Sequence, residues 1–253
     1  MADFHLYLLG PPDVMIADKS YVFSRKKSLA LFIYLYMSRV SHNRDFLAHL
    51  FYPRQQREMG RSNLRHIISL LKSESGHRCI ECSRVRVSLS ESVEIDSDVE
   101  SLRHLERVSA RWSGTIGTEE IVDTADRVTD LYRGYFLEGF FLKDCCDFEQ
   151  WQYITGDELL GIFRDIMFRC ISLLDKRGCC NEAIKYVIRL LEADYFDEYA
   201  QRLLMRLYSC IGKKHQAIRQ FTTYRRFLEE KWGERPESET TELYRRITGM
   251  HVN

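Results

Sequence analysis

The spacing of hydrophobic residues along the first part of the chain changes several times. This pattern predicts short strands around helices. Residues 4–9 (FHLYLL) form a predicted strand that the turn sequence GPP at residues 10–12 ends, and residues 19–23 (KSYVF) form a return strand. Ser24 is then placed to cap a helix over about residues 25–38. One face of this helix carries Leu29, Phe32, Ile33 and Tyr36.

Two further helices follow in the pattern. The shorter helix covers about residues 43–51 and ends before Pro53, with Phe46, Leu47 and Leu50 predicted to be buried. A polar loop at residues 54–58 leads into MGRSNLRHIISLLK at residues 59–72. At 100° per residue, this last helix has an apolar stripe consisting of Leu64, Ile67, Ile68 and Leu71. Its opposite face carries Ser62, His66, Ser69 and Ser73, with Arg65 on one flank and Leu70 on the other.

A β-hairpin is predicted after the third helix, over residues 78–80 and 84–89. Its second arm alternates Val85, Val87 and Leu89 with Arg84, Arg86 and Ser88. Strands, three helices and a hairpin are the order of a winged helix-turn-helix, in which the third helix enters the major groove of DNA. An ordinary amphipathic helix with a solvated polar face is the alternative, since most surface helices have such a face.

From about residue 98 onward the pattern is helical, and it contains an internal repeat. Gly178, Ala183 and Ile184 recur 34 residues later as Gly212, Ala217 and Ile218. This is the period of tetratricopeptide helix pairs, whose stacks form concave surfaces for peptides, proteins or small ligands. Two helical hairpins packed without such a groove are the alternative. A long helix over about residues 148–176 contains Gly156 and Gly161, which weaken the prediction that it is continuous.

The distribution of charge separates the two halves of the chain. Residues 1–90 hold 14 basic and seven acidic residues, whereas residues 91–253 hold 23 and 30, although the net charge is zero. A basic unit suits contact with a polyanion. We therefore predict two domains, 1–95 and 96–253. The predicted fold class is mainly α with a small β part: an amino-terminal winged helix-turn-helix followed by an all-α, tetratricopeptide-like helical domain.

Several other functions are not expected from the sequence. The longest apolar run, residues 29–37, is far shorter than the ~20 residues of a membrane span, and no signal peptide is recognisable, so we expect a cytoplasmic protein without membrane contact. Cys79 and Cys82 form a CxxC pair that no second pair completes, and we predict neither a metal site nor a cofactor. The eight histidines lie in no catalytic motif, so no enzymatic activity is expected.

With these features assembled, the chain resembles the SARP-like bacterial transcriptional activators. These join a response-regulator-type winged helix to a bacterial transcriptional activator domain (BTAD). The resemblance is carried by RSNLRHIISLLK, DLYRGYFLEGF, DFEQW, RLLEADYFDEYAQRLLMRLYSCIGKKHQAIRQF and RPESETTELYRRI. It implies sequence-specific binding to direct repeats in promoter DNA, as a homodimer, with contact to RNA polymerase. A peptide or small-molecule ligand of the helical domain is a further candidate partner.

The resemblance also implies roles for individual residues. The residues expected to contact base edges are Ser62, Arg65, His66 and Ser69. The residues expected to contact DNA phosphates are Asn43, Arg44, Arg61, Lys72, Arg84 and Arg86. The loop that can contact polymerase contains Arg54, Gln55, Gln56 and Arg57.

Ser69 and Leu70 depart from the family pattern, because many relatives carry a basic pair at these positions. An exposed Leu70 is able to contact a thymine methyl group. The alternative function follows from the same departure: an adaptor or a sensor of a small ligand, such as a nucleotide, with a winged helix that is structural or binds protein.

Overall fold

The computed structural model describes residues 4–16, 19–74, 79–113 and 115–249. The chain forms two compact units, of which the first contains residues 1–101 and 134–159 and the second contains residues 102–133 and 160–253. Residues 134–159 thus belong to the first unit, while the division into domains at residue 95 stays a prediction. Among the described residues, no helix combines the length and the apolar character needed to cross a bilayer.

The first unit combines short strands with three helices. The strands are β1 (Phe4–Tyr7), β2 (Asp13–Ile16), β3 (Lys19–Ser20), β4 (His42–Asn43), β5 (Ile80–Cys82), β6 (Arg86–Leu89) and β7 (Ile95–Ser97). The helices are α1 (Lys26–Ser38), α2 (Arg44–Phe51) and α3 (Arg57–Glu74). One sheet has the order β3-β2-β1-β7 and the other has the order β4-β6-β5. This arrangement confirms the predicted order of strands, three helices and hairpin.

The first sheet differs from the prediction in its partners. β1 pairs antiparallel with β2 and parallel with β7, and the return strand is reduced to β3, which pairs with β2. Strands β2 and β7 have only four and three residues, and Val14 is the only fully buried side chain of β2. A segment this short does not show a clear two-residue period, which explains why the sequence did not indicate either strand.

Helix α1 is buried on nearly all sides, with eight successive or near-successive core residues from Ser28 to Tyr36. Two details differ from the sequence prediction. Arg25, rather than Ser24, is the N-cap residue and makes no side-chain capping bond, while the Ser24 N–H donates to Glu74 Oε1 over 2.8 Å. Phe46 of α2 was predicted to be buried but is exposed, and its ring stacks on the partly buried ring of His42 with the ring centres 5.7 Å apart.

The second unit is helical. Its elements are the later turns of α4 (Asp98–Ser109), α5 (Thr118–Leu131), the later turns of α6 (Cys146–Lys176), α7 (Cys180–Ala193), α8 (Glu198–Cys210), α9 (Lys214–Trp232) and α10 (Ser238–Thr248). Gly178 and Gly212 both adopt positive φ, 75° and 76°, in the turns before α7 and α9. Ala183 and Ala217 are both fully buried. The two halves of the 34-residue repeat therefore have the same local structure, as the helix-pair interpretation predicts.

Helix α6 continues through both of its glycines. An added Cβ at Gly156 would collide with the ring of Tyr135, whose hydroxyl donates to the Tyr153 carbonyl and to Asp157. An added Cβ at Gly161 would meet nothing within 4 Å. Gly156 is thus needed for a close approach, whereas Gly161 has no such role.

These two glycines give a matched pair of stability predictions. Gly161→Ala should raise the free energy of unfolding by up to about 1 kcal/mol, because alanine favours the helix over glycine. Gly156→Ala should lower it by about 1–3 kcal/mol, because the Tyr135 ring must move. Urea denaturation of both variants measures the effects, and equal stabilisation by the two substitutions would contradict the contact with Tyr135.

Candidate nucleic-acid interface

Helix α3 presents the predicted reading face to the surface. Its apolar stripe is buried, as predicted, at Leu64, Ile67, Ile68 and Leu71. The four candidate base-reading side chains are all exposed: Ser62, Arg65, His66 and Ser69. Leu70 is partly buried rather than exposed, since it lies only about 60° around the helix from Ile67. Any contact from Leu70 to a thymine methyl therefore has less side chain available than the sequence indicated.

An ion-pair cluster joins α2 to α3. The Asp45 carboxylate accepts hydrogen bonds from Arg57 Nη2 and Arg61 Nη2, each at 2.6 Å, and from Arg61 Nε. These bonds hold the pKa of Asp45 at about 2, and the same contact raises the pKa of Arg61. The side chain of Arg61 remains 44% exposed. Asp45 therefore orients Arg61, a predicted phosphate contact, while leaving part of its guanidinium open to solvent.

This cluster predicts a particular dependence of stability on pH. Because the folded-state pKa of Asp45 is below its ordinary value of 3.8, its stabilising contribution is complete above about pH 4 and is lost as the pH falls towards 2. Asp45→Asn should lower the urea midpoint at pH 7 and reduce its fall between pH 4 and 2. Asp96→Asn, at an exposed aspartate of the same unit, is the control. Identical pH profiles for Asp45→Asn and the unmodified chain would contradict the prediction.

The β5–β6 hairpin is the wing, and it forms hydrogen bonds with the start of α2 and the segment before it. The backbone N–H of Arg44 donates to the Val85 carbonyl at 2.9 Å, and Arg44 Nε donates to the Ser83 carbonyl at 2.9 Å. Arg86 Nη1 donates to the Ser41 carbonyl at 3.1 Å. The wing and the start of α2 thus form one surface. Val85 is exposed, contrary to the predicted alternation with Val87, because it belongs to the turn before β6 rather than to the strand.

A cleft of about 210 Å³ lies between α2, α3 and the wing. It is lined by Asn43, Arg44, Asp45, Arg61, Leu64, Arg65, Arg84 and Val85. The Asn43 side chain caps α2 by accepting from the Asp45 N–H at 2.7 Å. Within the described ranges, the side chains of Arg65 and Arg84 make no hydrogen bond or ion pair. They are the cations of this cleft that are most available for an external anion.

The structure brings together only part of the predicted site. Arg65 and five of the predicted phosphate-contact residues lie in the cleft or beside it, namely Asn43, Arg44, Arg61, Arg84 and Arg86. Ser62, His66 and Ser69 lie along the exposed face of α3 outside the lining of the cleft, and Lys72 is partly buried near the end of the helix. The first strand of the wing was predicted from residue 78, which lies outside the described residues.

The loop predicted to contact polymerase is partly structured by other parts of the unit. Arg57 belongs to the first turn of α3, because that helix begins earlier than predicted. Arg54 Nη1 pairs with Asp144 at 2.9 Å, and Gln55 accepts a hydrogen bond from the side chain of Asn63. Gln56 is exposed. Asp45, which positions Arg57 and Arg61, was not among the residues predicted from the sequence. The available signal was an acidic residue in the first turn of a helix, followed by arginines 12 and 16 positions later.

Comparison with known proteins decides the family. Residues 97–248 match the bacterial transcriptional activator domain. The chain belongs to this family. This match supports a transcriptional activator of the SARP kind, as the resemblance of its motifs implied. No curated protein matches this sequence.

A solved structure supports the fold of this BTAD protein. The structure is that of Mycobacterium tuberculosis EmbR in complex with a low-affinity phosphopeptide, with a TM-score of 0.73 and 14% identity. The match covers 100% of this chain and 67% of the EmbR chain. At this identity the likeness concerns the fold alone, and it confirms a winged helix-turn-helix with a helical domain.

Two further kinds of site in the BTAD protein are a metal site and a ligand site in the helical domain. Across the part of the chain that the structure describes, no group of three or more His, Cys, Asp or Glu side chains is arranged around a possible metal position. A cleft between α8 and α10 includes Arg202 and Arg206. Both arginines already pair within the second unit, Arg202 with Glu237 at 2.6 Å and Arg206 with Asp175 at 2.8 Å. This cleft therefore offers little free positive charge.

Proposed function

We propose that this transcriptional activator binds promoter DNA in a sequence-specific manner through α3 and the wing. The observation that carries the proposal is that Arg65 and Arg84 line the same cleft. Neither cation has a partner among the described residues. Arg65 projects from the exposed face of the helix that in this fold enters the major groove. An arginine at such a position is able to donate two hydrogen bonds to guanine.

The remaining predicted residues take roles that follow from their positions. Ser62, His66 and Ser69 extend the exposed face of α3 and are proposed to contact base edges. Phosphate contacts are assigned to Asn43, Arg44, Arg61, Lys72, Arg84 and Arg86. The bonds that Asp45 makes to Arg61 restrict its guanidinium before DNA arrives, which reduces the entropy lost when it binds a phosphate.

The finer features of the activity are part of the same proposal. The protein would bind direct repeats as a homodimer, and residues 54–57 would contact RNA polymerase, with Gln56 as the most accessible of them. It would act in the cytoplasm, where bacterial promoter DNA lies. No enzymatic step is required for this function, since binding alone would recruit polymerase.

Selection of bound fragments from a genomic DNA library tests the proposal and yields the site. We expect enrichment of fragments that share a repeated motif. The affinity for the selected site should fall with salt at a slope of about −4.5 per protomer, at roughly 0.9 for each of five basic phosphate contacts. Arg84→Ala should reduce this slope by about 0.9. A library recovered without enrichment, or an affinity independent of salt, would overturn the assignment.

A further inference from the structure

A second cleft of the first unit, about 590 Å³ in volume, shares no lining residue with the cleft beside α3. We name it the α1 cleft. It lies where the start of α1, the end of α2 and the segment before α6 meet. It is lined by Arg25, Lys26, Lys27, Tyr52, Phe141, Leu142, Lys143 and Asp144.

The α1 cleft carries an excess of positive charge. Four of its lining residues are cationic and only Asp144 is anionic, and the Asp144 carboxylate already pairs with Arg54 at 2.9 Å. Within the described ranges, the side chains of Arg25, Lys26 and Lys143 make neither an ion pair nor a hydrogen bond. Three cationic groups are therefore available to an anion that enters the cleft.

The fourth cation, Lys27, is held in place by contacts with its neighbours. The Lys27 ammonium donates to the Phe51 carbonyl and lies 4.1 Å from the centre of the Tyr52 ring. Burial raises the pKa of both Tyr52 and the nearby Cys145 thiol, so that neither group adds negative charge at neutral pH. Lys27 thus contributes a positive potential that these neighbours do not neutralise.

Three of these cations lie where their charge is electrostatically unfavourable. Arg25, Lys26 and Lys27 are consecutive at the start of α1, where the helix dipole is positive and cations are disfavoured. The side chain of Arg25, the N-cap residue, makes no capping hydrogen bond. An anion with two or more charges would relieve this repulsion, and the repulsion comes from side chains that line one cavity rather than from the helix end alone.

The cleft also has aromatic walls. Phe141 is 68% exposed although it is large and apolar, and it lines the cleft together with Lys143. Tyr52 also lines the cleft, and the ammonium of Lys27 lies over its ring. Aromatic faces of this kind stack on planar rings. The volume of the cleft is within the range of about 300–1,000 Å³ that is common for small-molecule sites.

We propose that the α1 cleft binds a free nucleoside di- or triphosphate, with its phosphates among Arg25, Lys26 and Lys143 and its base against Phe141. A nucleotide joins a phosphate chain and a planar base through its ribose, and these two groups match the positive charge and the exposed aromatic face of the cleft. The site is separate from the residues proposed to bind DNA, so that either proposal is able to fail without the other.

Calorimetric titration of the full chain tests this site, with ADP, ATP and GTP as probes beside adenosine and inorganic phosphate at constant ionic strength. We expect saturable binding of the nucleotides and weaker binding of the two fragments. Lys26→Ala/Lys143→Ala should weaken nucleotide binding on the order of tenfold or more. Phe141→Ala should weaken nucleotide binding while leaving that of inorganic phosphate unchanged. All three of these residues are exposed, so their replacement should not prevent folding.

Lys214→Ala/Lys231→Ala is the matched control, because it removes the same charge from exposed positions of α9. It should leave nucleotide affinity unchanged. Absence of saturable binding by all three nucleotides, or equal weakening by the control, would overturn the proposal. So would a Lys26→Ala/Lys143→Ala protein that binds nucleotides normally but selected DNA less tightly, since the cleft would then be a contact for the DNA backbone.

Discussion

Asp98→Ala should lower the free energy of unfolding of the first unit by about 3 kcal/mol, the largest stability effect that we expect from a single change. The Asp98 carboxylate is buried and accepts from the N–H groups of Leu8, at 2.8 and 2.9 Å, and Leu9, at 2.9 Å. Both leucines are fully buried. The N–H of the buried Val99 also donates to this carboxylate, at 2.8 Å, so its removal leaves three buried backbone donors without their acceptor.

Asp98→Asn should be nearly as destabilising. One carboxylate oxygen becomes an NH₂ group that faces N–H donors, and it is unable to accept from them. Asp96→Ala is the matched control, because Asp96 is exposed and its pair with His5, at 3.7 Å, is a surface contact worth at most about 1 kcal/mol.

Urea denaturation followed through Trp151 measures this effect in the first unit. The tryptophan belongs to that unit, and a Trp112→Phe/Trp232→Phe background removes the two signals of the second unit. We expect the midpoint to fall for both Asp98 variants and to change little for Asp96→Ala. An Asp98→Ala protein that is as stable as the Asp96→Ala control would show that water satisfies these amides.

Arg65→Ala should weaken binding to the selected DNA site by about 1–3 kcal/mol, or roughly 5- to 150-fold, and should relax base preference at one position. The expected size of the effect follows from the loss of two hydrogen bonds to a base edge. Because Arg65 is exposed and has no partner among the described residues, the same change should leave the fold intact.

Two comparisons separate base reading from a general loss of charge. Arg84→Ala should weaken binding to all sequences alike and reduce the salt slope, since phosphates are the same at every site. Arg226→Ala removes an exposed arginine of α9 and should not affect binding. Titration of selected and scrambled duplexes measures each variant. If Arg65→Ala weakens both duplexes equally, Arg65 contacts phosphate rather than a base.

The helical elements were largely predictable because their apolar periods are long. In α3, four stripe residues at helical spacing are all buried. The 34-residue repeat likewise predicted two equivalent turns, at Gly178 and Gly212, and both adopt the same backbone conformation. These features depend on contacts between neighbours three to five residues apart, which the order of residues specifies directly.

The site was only partly predictable. The exposed face of α3 follows from the period of its stripe, so Arg65 could be identified as a reading residue. That Asp45 binds Arg61, and that Arg65 and Arg84 share a cleft, depends on how α2, α3 and the wing pack. Residues 16 or 19 positions apart meet only in the folded unit, and no local period reports such a contact.

The sequence by itself determined the amphipathic helices, the repeat and the basic character of the amino-terminal part, because each is a property of composition or of near neighbours. Only the tertiary structure decided that Asp98 binds the amides of Leu8 and Leu9, some 90 residues away, and that β7 pairs parallel with β1. It also decided that residues 141–144 meet the start of α1 to form the cationic α1 cleft. The physical reason is the same in each case: a buried acceptor, a short strand and a cluster of cations obtain their partners only when distant parts of the chain come together.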